Sequence, residues 1–291
     1  MPRSESSPAT AGGSAPAGAP GADAPPAGAA PAKIPPRGPA PRVRLRFSKQ
    51  GKVRFTSHRD LARIWERALR RADVPIAYTE GFSPRPKLSF GLALSTGHES
   101  LGEYLDVALR DAQDLVAVER LPALLGPVLP AGIDVQSAVA LPPGADSLQQ
   151  VVTSCTWYIE VGDVTPPDAA AGVSRALAAS ELTLTRERKG QPVTDDVRPA
   201  IVDLRVLGPV AEVVAPLAPR ATGIGTALEA ELATQPRALR PAELIAAIDP
   251  TWVVARVTRI HQGTQAGGAR HEVIDLGPAA TPPPHAEARA S

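Results

Sequence analysis

The chain has 291 residues, 43% of them hydrophobic and 3% aromatic, a formal net charge of +1 and one cysteine, Cys155. A single cysteine excludes an intrachain disulfide, a cysteine-ligated zinc site and a self-contained three-cysteine iron–sulfur cluster. No run of eighteen apolar residues is present and the N-terminus lacks the apolar core of a secretory signal, so the expectation is a cytoplasmic protein with no membrane partner.

Residues 1–41 are almost entirely Ala, Pro, Gly and Ser. Such a stretch buries too little to offset the entropy of ordering it, and it reads as a disordered tail. The same composition returns at 263–291, read as a second tail. Charge is distributed unevenly between them. Arg42 to Arg110 carries fourteen Arg and Lys against seven Asp and Glu, whereas Asp111 onward carries fourteen against twenty-one. A basic half points to an anionic partner, and an acidic half to a solvated face or a dock for a basic protein.

In chain order, Val43 to Phe47 alternates apolar and charged residues, the period of a half-buried strand, and "VRF" at 53–55 continues it after a "KQGK" turn. The period then changes. Ser57 as N-cap, Asp60 three residues on and Pro75 as a stop predict a helix over 58–72. Leu61, Ile64, Trp65, Ala68, Leu69 and Ala72 share one side of it; Arg59, Arg63, Arg67 and Arg70 share the other, an anion-binding stripe with Glu66 the acid beside them.

"YTEGFSPRPKLSFG", 78–91, follows. Gly81 can adopt angles other residues avoid, and Pro84 and Pro86 fix φ and push Ser83 and Arg85 toward extended backbone. The expected result is a stiff loop presenting Arg85 and Lys87 as a positioned clamp for phosphate or another planar anion. Phe82 and Phe90 are expected to anchor it in the core. His58, in the first turn of the arginine helix, is the candidate general base: the helix dipole and nearby arginines favour its neutral imidazole. Tyr78 or Lys87 would assist it. His98, Glu99 and Glu103 are too loose a group for a metal site, so no metal and no cofactor are expected.

"KLSFGLAL" and "EYLDVAL" read as strands, then a helix near 112–125 and a strand near 134–141. After "PPGADS" come the strand "TWYIEVG", a helix over 167–179, strands at 182–188, 200–207 and 210–217, a helix at 241–248 and the strand "WVVARVTRI". Arg186, Arg188 and Lys189 mark a solvated hairpin tip; Asp195, Asp196 and Arg198 mark a local ion pair and turn. Strand, helix, strand, strand, helix, strand is the split βαβ order. The expected fold is α+β, two tandem ferredoxin-like modules: a basic one at 42–145 and an acidic one at 146–262.

From about Val43 to Gln262, above all in "FTSHRD" at 55–60 and "GFSPRPK" at 81–87, the chain resembles the radical-SAM-linked protein family, a bacterial domain in many members fused to, or encoded beside, cobalamin-binding radical SAM proteins. The chain has no radical SAM cysteine motif, so the resemblance implies that such chemistry would come from a partner. More faintly, the region resembles the CRISPR repeat-processing endoribonucleases, paired ferredoxin-like RNA binders with a histidine near their first helix, the place His58 occupies. The leading expectation is a non-catalytic RNA-binding or substrate-presenting module acting on structured RNA, tRNA or rRNA, with a cobalamin-binding radical SAM protein. The alternatives are a metal-independent endoribonuclease using His58 and a protein-interaction adaptor.

Overall fold

The computed structural model describes residues 40–188, 190–213, 224–266 and 269–274. The tail at 1–41 thus falls outside them except at its last two residues, as does most of 263–291.

β1 (Arg42–Lys49) forms where apolar and charged residues alternate: Val43, Leu45 and Phe47 enter the core. The chain then departs from the expected second strand. Gly51, at φ 67°, reverses it into a tight 3₁₀ turn over Gly51–Phe55, burying Val53. α1 (His58–Arg71) starts where Ser57 Oγ accepts from Asp60 N at 3.1 Å. Its inner face, Leu61, Trp65, Ala68 and Leu69, is buried, with Trp65 edge-on to Phe47 at 4.8 Å between centroids. Burying each large apolar side chain there contributes roughly 1.5–3 kcal/mol.

β2 (Leu88–Phe90) is shorter than expected and β3 (Glu99–Ala108) is longer, taking in residues that read as a connection. The expected helix near 112–125 is 3₁₀ over Ala112–Arg120, broken at Ala117 (φ −127°, ψ 30°), before α2 (Leu121–Leu125). β4 (Val135–Leu141) closes the first half. α3 (Leu148–Val151) leads into β5 (Ser154–Gly162), α4 (Pro166–Ala178), the hairpin β6 (Thr183–Arg188) and β7 (Gln191–Asp196), and β8 (Ile201–Pro209). Then come β9 (Thr226–Ala233), α5 (Pro241–Ile248), β10 (Val253–Ala266) and β11 (Ala269–Glu272).

Four differences in the second half follow from pairing that local pattern does not reveal. Asp195 and Asp196 stand in β7 opposite Leu184 and Thr183; Asp195 pairs across the hairpin with Arg186, not with Arg198, while Asp196 Oδ1 accepts from Arg198 N at 2.9 Å in the turn that follows. Val210–Glu212 is 3₁₀, and 214–217 lies outside the described residues. β9 is a full strand between β5 and β8 that the sequence reading omitted. β10 and β11 carry ordered structure past Gln262, into the expected tail.

The result is a mixed α/β fold with a nine-stranded, mostly antiparallel sheet. Its main path is β4-β1-β3-β10-β5-β9-β8; β2 pairs with β3 and β11 with β10. Each half has its own apolar core. One gathers β1, α1 and β3 around Phe47, Trp65 and Leu105; the other gathers β5, β9, α4 and α5 around Ile159, Leu228 and Leu244. The halves share the sheet, through a parallel pairing of Glu99 and Ser100 in β3 with Thr258 and Arg259 in β10.

That joint is polar and buried. Glu99, 1% exposed, accepts from Gly51 N at 2.7 Å and from Arg256 Nε at 3.1 Å. Arg259 lies 3.5 Å from Glu103, and Gln262 Nε2 donates to Gly102 O at 2.8 Å. In β1, Arg44 meets Asp106 through two parallel bonds of 2.7 and 2.9 Å, and Arg46 reaches Glu272 at 3.0 Å. Tyr104, Leu148 and Ile274 pack together over β3.

Candidate nucleic-acid interface

Burial leaves the charge excess of the basic half in place. Arg44, Arg46 and Lys49 are nearly inaccessible, but so are Glu99, Glu103 and Asp106, so cations and acids leave the surface in equal number. What reaches the surface is concentrated on α1 and the loop after it.

On α1, Arg59, Arg63, Arg67 and Arg70 are all exposed, opposite the face that Trp65 and Leu69 bury. Arg63 pairs with Asp60 at 3.2 Å and Arg70 with Glu66 at 3.6 Å; both pairs are solvent-exposed, hence weak. Arg59 and Arg67 have no ion pair among the described residues. The Ser57 hydroxyl, with Arg63 and Arg59 nearby, holds the Asp60 carboxyl below the usual range, so this helix start keeps its acid ionised.

The loop is closed at its neck. Tyr78 bridges Pro86, Thr79 N donates to Arg85 O at 2.8 Å, and Arg85 N donates to Thr79 Oγ1 at 3.0 Å. Gly81 takes φ 120°, where a side chain would be strained although space around it is open. Arg85 and Lys87 are exposed at the two sides of this neck, with no acidic partner among the described residues. Phe90 behaves as expected, packed against the first core. Phe82 does not: it is fully exposed at the loop tip. The prolines and glycine that stiffen the loop also carry its tip away from the core, so the ring has nothing to pack on.

His58 is exposed, its ring edge-on to Phe90 at 5.0 Å. That contact sets the start of the arginine helix against β2, directly after Lys87. The structure brings neither Tyr78 nor Lys87 into a hydrogen bond with the imidazole. A second exposed aromatic residue that sequence reasoning passed over, Phe55, precedes the helix with the Arg54 guanidinium 4.5 Å above its ring. The sequence reading placed Phe55 at the end of a strand and, in "FTSHRD", within the motif that carries the family resemblance, but not among the binding residues.

His98, Glu99 and Glu103 go separate ways. Glu99 turns to Gly51 and Arg256, Glu103 to Arg259, and the His98 ring faces Trp157. Among the described residues no group of three His, Cys, Asp or Glu side chains could hold a metal ion. Arg186 on β6 is tied to Asp195 at 2.6 Å, while Lys189 lies outside the described residues. Arg198 donates to Leu177 O at 3.1 Å, pinning α4 to the turn before β8. Cys155 is buried, and burial pushes its thiol up to about 11, the behaviour of a packing residue. Among the described residues no helix is long and apolar enough to cross a membrane.

The exposed arginines, the stiff loop and the two free aromatic rings lie in the first third of a longer match. A bacterial family described as an uncharacterized conserved protein, DUF2344, matches residues 42–241. The chain belongs to that family. The DUF2344 match runs from β1 to the first residue of α5, so it includes α1, the loop and most of both cores. Comparison with curated proteins gave no match.

Proposed function

We propose that this DUF2344 protein is a non-catalytic RNA-binding module that holds an unpaired segment of a structured RNA such as a tRNA or rRNA. The observation that carries the reading is the solvent face of α1. Four arginines project from a helix whose other side is anchored in the core, two of them in no ion pair among the described residues. Rigid, spaced guanidinium groups suit a phosphate backbone, and Arg85 and Lys87 extend the same cationic surface. Phe82, and Phe55 beneath Arg54, add rings on which unstacked bases can rest; aromatic residues among arginines are the recurring solution for single-stranded RNA.

The finer fold reading, two ferredoxin-like modules in tandem, is supported by strand order. β4-β1-β3-β2 in the first half and β10-β5-β9-β8 in the second repeat one antiparallel sequence, with β6 and β7 as an insertion. A cobalamin-binding radical SAM protein as the enzyme that would use the held RNA rests on the sequence resemblance.

The test is charge-neutral replacement of Arg59, Arg63, Arg67 and Arg70 by Gln in the full chain. Affinity for labelled bulk cellular RNA should fall, and its salt dependence should flatten by up to roughly 0.7 per arginine in log–log slope. Unchanged affinity and slope in a folded variant would remove the helix from the interface.

A further inference from the structure

A cavity of about 470 Å³ lies where the two halves meet, lined by residues 92–95 and His98 of the first half and by β5, β9, β10 and the start of α5 of the second. Its size falls within the range of small-molecule sites. The RNA surface proposed above uses none of its residues.

The floor is Arg259, 1% exposed. Its Nη1 and Nη2 donate to Leu92 O and Ala93 O at 3.0 and 3.1 Å, and its guanidinium lies 4.9 Å from the Trp157 ring centroid. Arg186, Arg237 and Arg240 complete the cationic lining, against Glu243 as the carboxylate in the wall. Most of these charges already have partners: Arg186 holds Asp195, Arg237 holds Glu243 at 2.5 Å, and Arg259 stands 3.5 Å from Glu103. Arg240 differs. It is exposed at the N-cap of α5 and its side chain has no ion pair among the described residues.

The excess of positive charge is felt inside. Burial, and then the charges of Arg259 and Lys49, hold the His98 imidazole below its usual range. Its Nδ1, like Trp157 Nε1, is buried without a hydrogen-bond partner. The helix dipole of α5 adds positive potential at the same mouth. Between the cations the lining is apolar: Leu92, Leu94, Leu232 and Leu239. A cavity with leucine walls and a cationic rim selects an amphiphilic anion over a bare one.

We propose that this cavity binds a small phosphorylated molecule of nucleoside monophosphate size, with its phosphate at Arg240 and its body between the leucine walls. The inference is independent of the RNA reading.

The experiment is isothermal titration of the full chain with 5′-AMP, adenosine and inorganic phosphate. Saturable binding of 5′-AMP is expected, with adenosine and inorganic phosphate each at least tenfold weaker, about 1.4 kcal/mol. Arg240→Glu, at an exposed position, should weaken 5′-AMP by tenfold or more, and Ala238→Trp, which fills the cavity without altering charge, should do the same. The variant lacking the four α1 arginines should bind 5′-AMP as the parent does. No heat with 5′-AMP at millimolar concentration overturns the proposal. So does 5′-AMP binding that survives both cavity variants, or that disappears with the α1 arginines, since the nucleotide would then sit elsewhere.

Discussion

Replacing Glu99 by Ala removes the side chain at the centre of the joint between the halves. Glu99 is 1% exposed and stands in the parallel rung with β10. One oxygen accepts from Gly51 N at 2.7 Å and Arg54 Nη1 at 3.4 Å; the other accepts from Arg256 Nε at 3.1 Å. Breaking a buried ion pair by deleting one partner costs about 3–5 kcal/mol, because the other charge stays behind. Arg256, 9% exposed, keeps Glu160 at 4.0 Å, which places the expected loss near the lower end, about 3 kcal/mol. For a folded region of this size that lowers Tm by roughly 6–12 °C.

The pH dependence follows in sign. Burial pushes the Glu99 carboxyl up, but the bonds from Arg256 and Gly51 N and the charges of Arg256 and Arg54 outweigh it, and the net shift is downward. A carboxyl with a depressed folded-state pKa contributes stability that is present above its unfolded value of about 4.3 and disappears as pH falls through the folded one. The stability gap between wild type and Glu99→Gln should therefore be constant near neutrality and close in acid. Urea unfolding of wild type, Glu99→Ala and Glu99→Gln at several pH values measures both. A Glu99→Ala loss below about 1 kcal/mol would refute the view that this network holds the halves together.

Further outcomes follow from single positions. Gly225→Ala, at φ 102° with the new Cβ driven against Val161 O, should cost about 1–3 kcal/mol in chemical denaturation. Phe82→Ala should leave stability within about 0.5 kcal/mol, since the ring packs on nothing, yet weaken RNA binding by about 1–3 kcal/mol in a filter-binding titration. Cys155, 3% exposed and with its thiol raised to about 11, should resist thiol reagents in the native protein and react only on unfolding; rapid native labelling would contradict its packing role.

The elements that were legible in the sequence are those whose signal is local. α1 has an N-cap, a 3.6-residue period and a proline beyond its end, and it runs within a residue of its expected bounds. Its arginine stripe follows from the same period. β9 was not legible because its pattern, "TALEAELA", is equally compatible with a helix, and only its pairing between β5 and β8 makes it a strand. Phe82 was misjudged for a related reason: hydrophobicity marks a residue for burial, but a stiff loop can hold it away from any core. The buried ion pairs of Arg44 with Asp106 and of Glu99 with Arg256 join residues more than sixty positions apart, which no local pattern reveals.

The most direct test of the central proposal is a gel shift of the full chain on labelled bulk cellular RNA across a salt series, watching for shifted and shortened species together. The account predicts a shift that weakens steeply with salt and leaves the RNA intact. No shift at low salt, or shortened RNA whose appearance depends on His58, would contradict it.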